Sequence, residues 1–291
     1  VPTMDTTRYA YVLKKLMKNG FNVLFMGETG VGKSVIMQGF LDEMSRTNDY
    51  VSFSMAYSAQ TKPVNLKDVM ESKLEKKRKN LLGPPAGKKM LMFIDDLNMP
   101  AMETIGGESK PEHAQPPNEL LRQLIDQQGF YDTSKLFLKN VKDVIFASAC
   151  APPGGGRNPV TPRLLRHFSN IWLTNVNAEA MSKIFSSILS GFLTQPGTDT
   201  SLSKLADSIV EASIEIYHRM EHDMLPTPER SHYTFNLRDF GKVFQGWMMT
   251  NPNEITTPDD GVRLWIHEMR RVFGDRLNQW FEEHPADARK I

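Results

Sequence analysis

The segment Gly27-Glu28-Thr29-Gly30-Val31-Gly32-Lys33-Ser34 constrains this chain more than any other eight residues. It is a complete G-x-x-x-x-G-K-[ST] loop. The apolar run 23–26 before it reads as a buried strand, and residues 34–41 after it carry apolar side chains at helical spacing. Strand, glycine loop and helix together make a triphosphate site. The glycines let backbone N–H groups converge on phosphate oxygens, and the helix N-terminus adds partial positive charge. In that arrangement Gly27, Glu28, Thr29, Gly30, Val31 and Gly32 form the cradle. Lys33 neutralises the β- and γ-phosphates, and the Ser34 hydroxyl holds Mg²⁺. A chance glycine turn is the competing explanation, and both flanking elements argue against it.

A phosphate loop needs a metal-holding carboxylate on a neighbouring strand. Met90-Leu91-Met92-Phe93-Ile94-Asp95-Asp96 supplies one, an apolar run ending in two acids. Asp95 would hold the Mg²⁺ shell through water. Asp96 stands where ATPases of this type commonly carry Glu to orient the attacking water. Asp is one methylene shorter, so hydrolysis is expected to be slow or absent. Paired acids ending a strand also suit a helix N-cap, the simpler alternative. The chain has no N-K-x-D or T-K-x-D stretch to read guanine, so ATP and its product ADP are the expected nucleotides.

The rest of the chain divides by texture. Apolar runs at 23–26, 50–55, 90–94, 144–149 and 171–173 alternate with helical patterns. Short buried strands separated by helices predict a parallel sheet covered on both faces, over residues 1–176. From 177 to 291 the strand signal vanishes. Segments 178–189, 201–220, 237–249 and 261–281 read as helices, giving a smaller all-helical domain. Two glycine-proline loops fall at 83–87 and 152–157. The second lacks the G-K-[ST] ending and reads as a flexible surface turn. The basic run from Lys73 to Lys79 reads as a helix end, either a solvated face or a docking surface for an acidic protein.

Composition narrows the partners. Lys and Arg number 35 against 34 Asp and Glu, so no global charge drives the chain to nucleic acid or an anionic membrane. A single cysteine, Cys150, precludes an internal disulfide and suits a reducing compartment. No apolar run approaches the roughly 18 residues that span a bilayer. The first residues lack a signal-peptide pattern, and the missing initiator Met points to a piece of a longer polypeptide.

Arg163 and Arg166 precede the fifth strand run. In ring-forming ATPases an arginine here crosses a subunit boundary to stabilise a neighbour's γ-phosphate; a plain surface arginine near a helix end is the other reading. Arg238, early in a helix of the second domain, reads either as a lid arginine reaching the γ-phosphate or as a member of an intrahelical ion pair. His267-Glu268 suggests zinc, but position 271 is Arg where the second histidine of H-E-x-x-H belongs, so no metal site is expected there.

Phosphate loop, acidic strand end, arginine before the fifth strand and helical second domain together resemble AAA+ ATPases. Val1-Pro2-Thr3-x-Asp5-Thr6-x-Arg8-Tyr9, Asp95-Asp96-Leu97-Asn98-Met99-Pro100, Gln115-Pro116-Pro117-x-Glu119, Pro152-Pro153-Gly154-Gly155-Gly156-Arg157-Asn158 and His232-Tyr233-x-Phe235-Asn236-Leu237-Arg238-Asp239 are similar to dynein heavy chains. The resemblance is to the third of their six AAA+ modules, in the axonemal, inner-arm-like branch, and covers nearly the whole chain.

The resemblance implies an AAA+ large domain with strand order 5-1-4-3-2 and a small helical lid, with Pro2 and Thr3 near the adenine. It implies one sixth of a microtubule motor ring, in the cytoplasm, the cytoskeleton and the ciliary axoneme. Partners would be the neighbouring AAA+ modules of the same heavy chain and other dynein chains, with the microtubule reached only through the full motor, and with no nucleic acid or membrane. Arg166 would then serve the preceding module's nucleotide. One departure stands out: the family's sensor asparagine after the fourth strand falls at Ala151. Three readings follow, in this order: a regulatory module that hydrolyses ATP slowly, a non-hydrolysing module held together by its nucleotide, and an independent AAA+ remodelling ATPase.

Overall fold

The computed structural model describes residues 1–105, 112–132, 136–193, 200–251, 254–255 and 257–277. They fall into two compact units. One is Asp5–Asn175, and the other joins Val1–Met4 to Val176–Ile291.

The first unit is built on five parallel strands: β1 (Val23–Met26), β2 (Tyr50–Ala56), β3 (Lys89–Asp95), β4 (Val144–Cys150) and β5 (Ser169–Trp172). Their order across the sheet is β5-β1-β4-β3-β2, the order the resemblance implies. Helices α1 (Met4–Lys18), α2 (Lys33–Ser45), α3 (Pro63–Lys73), α4 (Pro116–Gln127) and the short α5 (Pro162–Leu165) surround it.

Alternating side chains assign the two faces. Val23, Phe25, Leu91, Phe93, Ile145, Ala147 and Ala149 pack on Leu13 and Met17 of α1 and on Met37, Phe40 and Leu41 of α2. Leu24, Met90, Met92, Ile94 and Phe146 pack on Leu66 and Met70 of α3, Leu121 and Leu124 of α4, and Leu164 of α5. Burial on both faces is why these strands read as unbroken apolar runs.

The fifth strand begins earlier than its apolar run suggests, at Ser169, whose N–H donates to Asn22 O at 2.8 Å. Polar residues are tolerated there because β5 is an edge strand. The basic run is a larger correction. The α3 helix ends at Lys73, and Glu75–Arg78 is an exposed strand paired antiparallel with Leu81–Gly83. These two join Leu138–Val141 and Gly129–Tyr131 in a small separate sheet. A hairpin pairs Glu103–Ile105 with Glu112–Ala114.

The second unit contains α6 (Ala178–Leu193), α7 (Thr200–Asp223), α8 (Leu237–Met248) and α9 (Pro258–Val272), followed by a 3₁₀ turn at Gly274–Arg276. Its core stacks Phe185 on Phe244 with ring centroids 4.7 Å apart, and sets Phe240 edge-on to Tyr217 at 5.4 Å. The α9 helix starts three residues before the expected 261. Thr257 accepts from Asp260 N–H, the Asp260 side chain accepts from Thr257 N–H, and Pro258 occupies the first turn. The expected extension of this helix to 281 falls partly outside the described residues.

Candidate nucleotide-binding site

The site grows out of the carboxyl ends of three adjacent strands. β1 pairs with β4, and β4 with β3, so the segments leaving them emerge side by side. Crevices at this end of a parallel sheet are where ligands bind in open α/β folds.

Residues 27–34 leave β1 in a tight turn. A Cβ on Gly27 would stand 2.6 Å from Leu173 O, so only glycine fits. Gly30 and Gly32 have φ of 93° and 90°, the left-handed region that glycine enters freely. Gly32 caps α2, and the first turn of that helix carries no acidic residue. The positive end of the helix is therefore left for an anion. The Lys33 ammonium donates to Gly27 O at 2.8 Å and to Glu28 O at 2.7 Å. Burial pulls its pKa below the ordinary lysine value. The neighbouring Cys150, Asp95 and Asp96 oppose that, and the Arg157 charge adds to it.

The two acids end β3 beside this loop. The Ser34 hydroxyl donates to Asp95 Oδ2 at 2.6 Å, and Asp95 Oδ1 accepts from Asp96 N–H at 3.0 Å. Asp96 has φ of 51° and turns the chain out of the strand. Among the described residues no group of three or more His, Cys, Asp or Glu side chains forms a metal cluster. One hydroxyl and one carboxylate in contact fit Mg²⁺, which keeps waters and phosphate oxygens as its remaining ligands.

Behind the acids lies a set of buried amides whose role is not evident from sequence. Asn98 donates to Ala151 O at 2.7 Å, and Gln115 to Asn98 O at 3.1 Å and Pro100 O at 2.7 Å. Asn118 donates to Leu97 O at 3.0 Å and to Gln115 Oε1 at 2.7 Å. Asn98, Gln115 and Asn118 are buried. Ala151 thus contributes a carbonyl and no polar side chain. Asn98 and Gln115 fall at named positions of the family-like motifs, and Asn118 does not.

The glycine loop at 152–157 is an exposed turn, as its composition suggests. It is a closed turn, with Gly154 and Arg157 exchanging backbone hydrogen bonds at 2.9 and 3.0 Å. Asn158 clamps it to the loop after β3 through Asn98 O and Pro100 O. The glycine tip is exposed.

Of the other candidates, Arg163 and Arg166 belong to the same unit as the phosphate loop, and Pro2, Thr3 and Arg238 to the second. Arg166 is exposed and paired with Asp126 of α4 at 3.3 Å, beside His167 on the same carboxylate at 3.2 Å. Arg163 is exposed as well. Pro2, Thr3 and Arg238 belong to the helical unit. Thr3 is buried there. Arg238 is exposed in the first turn of α8, where Asn236 Oδ1 accepts its N–H at 2.9 Å. Glu268, beside His267, is buried and bound by Arg271 at 2.6 Å.

Comparison with known proteins agrees with this geometry. Residues 1–176 match the family described as P-loop containing dynein motor region, and residues 209–287 match the AAA+ lid domain. Dynein axonemal heavy chain 6 of Homo sapiens is 49% identical over 284 residues, 98% of this chain and 7% of the relative. Dynein axonemal heavy chain 1 of Homo sapiens is 42% identical over 300 residues, 97% of this chain and 7% of the relative. Dynein axonemal heavy chain 12 of Rattus norvegicus is 40% identical over 277 residues, covering 95% of this chain and 9% of the relative. The chain therefore spans less than a tenth of the length of these relatives. With a phosphate loop set against an acidic strand end on a β5-β1-β4-β3-β2 sheet, and with helices of the lid family following it, this chain belongs to the dynein heavy chains, as an AAA+ module of their motor region.

Proposed function

We propose that this chain is the third AAA+ module of an axonemal dynein motor ring, and that its nucleotide regulates that ring. It binds ATP and ADP with Mg²⁺ and hydrolyses ATP slowly. The contact between Ser34 and Asp95 supports the Mg-nucleotide part of this reading, because it brings hydroxyl and carboxylate together at the helix end that also holds Lys33. Ser34 and Asp95 would hold Mg²⁺, which supplies positive charge against the phosphate oxygens. The backbone of residues 27–32 cradles the phosphates, and Lys33 neutralises them. Asp96 orients water for attack. Arg238 reports the terminal phosphate to the lid, and Pro2 and Thr3 flank the base. Arg166 acts on the preceding module's nucleotide, a role its exposure supports.

The neighbouring AAA+ modules of the same heavy chain are the direct partners, and the microtubule is engaged only by the complete motor. The setting is the ciliary axoneme, as the names of the axonemal relatives suggest. No described helix is long and apolar enough to cross a membrane.

A second reading, a module that holds nucleotide without hydrolysing it, is favoured by Ala151. Its position between the two halves of the site offers only a carbonyl, already bound by Asn98. Calorimetric titration of Mg-ATP into this chain and into Lys33→Ala tests binding. Saturable one-site binding that the variant loses supports the reading, and absence of binding in both overturns it. Phosphate release from the bound complex then separates slow turnover from none.

A further inference from the structure

The closed turn after β4 ends in Arg157, and the sheet dictates where it goes. β4 lies between β1, which carries the phosphate loop, and β3, which ends in Asp95 and Asp96. A chain leaving β4 at its carboxyl end therefore emerges between loop and carboxylates. Ala151 comes first and offers no polar side chain. Gly154, Gly155 and Gly156, with φ of 128°, 56° and 84°, then reverse the chain. The paired bonds between Gly154 and Arg157 close the turn, and Asn158 fastens it to Asn98 and Pro100. These bonds hold the Arg157 backbone in register with the acidic loop.

The Arg157 side chain is partly buried, and its Nε is fully buried with no hydrogen-bond partner among the described residues. Its positive charge is felt at Lys33, where it disfavours the second cation. A buried guanidinium N–H without an acceptor, within electrostatic reach of a second cation, is an arrangement that an anion relieves. Guanidinium also matches phosphate oxygens in a two-pronged geometry that an ammonium does not reproduce.

We propose that Arg157 is a phosphate-binding residue of this site, taking the terminal phosphate of ATP from the β4 side in the place where Ala151 has no side chain to offer. The proposal rests on the nucleotide-binding reading above. ADP lacks the terminal phosphate, so Arg157 makes the site prefer ATP.

The test is titration of Mg-ATP and Mg-ADP into this chain, Arg157→Ala and Arg157→Lys, with melting curves to verify folding. Loss of a charge-assisted contact weakens ATP binding about ten- to hundredfold in Arg157→Ala. ADP binding changes by less than about threefold, and Arg157→Lys lies between. An ATP-to-ADP affinity ratio equal to wild type in both variants overturns the proposal and leaves the nucleotide-binding reading standing. If the unaltered chain binds neither nucleotide, that reading fails and the proposal fails with it. Arg157→Lys keeps charge and bulk, so the ratio remains readable if the alanine variant unfolds.

Discussion

Ser34 and Asp95 are 61 positions apart in the chain, yet the Ser34 hydroxyl donates to the Asp95 carboxylate across 2.6 Å. The contact joins the first turn of α2 to the end of β3, two elements that the phosphate loop and the acidic strand supply independently. If the pair holds Mg²⁺, ATP affinity depends on the metal through both residues. Ser34→Ala is expected to weaken Mg-ATP binding about tenfold. EDTA should then have little further effect on the variant, while it weakens binding to the unaltered chain. Titration with and without EDTA checks this, and equal EDTA sensitivity in both counts against the pair as metal ligands.

Arg166 is expected to be silent toward this chain's own nucleotide. Its guanidinium is occupied by Asp126 on the exposed side of α4. Arg166→Ala should change Mg-ATP affinity by less than about twofold, whereas Lys33→Ala removes most of it. Equal losses in the two variants would contradict the assigned roles.

Cys150 couples stability to pH. It is buried at the end of β4, and burial pushes its thiol up from 9.0 to about 11. A raised thiol contributes stability that is complete below pH 9 and is lost as pH rises toward 11, because the unfolded chain ionises first. Across that window its contribution falls by about 2–3 kcal/mol. Cys150→Ala should flatten the alkaline decline of the urea midpoint by a corresponding amount. The folded chain should also resist iodoacetamide at neutral pH and react once denatured.

The amide set behind the acids should matter to stability before it matters to binding. Asn118→Ala leaves Leu97 O and Gln115 Oε1 without their donor in a buried setting. A loss of about 1–3 kcal/mol is expected, read as a lowered urea midpoint. A midpoint unchanged from wild type would mean that water enters and replaces the amide.

In the helical unit, Gly246 gives room to a buried acid. A Cβ there would fall within bonding distance of the Glu268 carboxylate, which Arg271 holds at 2.6 Å. Gly246→Ala should destabilise this unit by about 1–3 kcal/mol. Adding Glu268→Ala should restore part of that loss, because the two changes share one cavity. Simple additivity of the two penalties would refute the steric account.

Some of this architecture was legible along the chain. The phosphate loop is local: glycine positions, Lys33 and Ser34 lie within eight residues, and their backbone demands are met by residue type alone. The three central strands, β1, β3 and β4, were visible because burial on both faces leaves largely apolar runs, as in residues 90–94. Other elements left no such signal. Glu75–Arg78 is charged and exposed throughout, and it becomes a strand only because Leu81–Gly83 lies beside it. The start of α9 was missed because its apolar spacing begins after the Thr257–Asp260 cap that initiates it.

By itself, then, the amino-acid order determined the strand-loop-helix core, since torsional preference and apolar periodicity act between near neighbours; its motifs carried the likeness to dynein motor modules. Only the tertiary structure decided which distant polar atoms meet. It brought Ser34 to Asp95, Asn98 to the carbonyl of Ala151, and Arg157 into the electrostatic reach of Lys33. Those pairings depend on strand order and on the demand that buried polar groups find partners, and neither is written in the spacing of the residues along the chain.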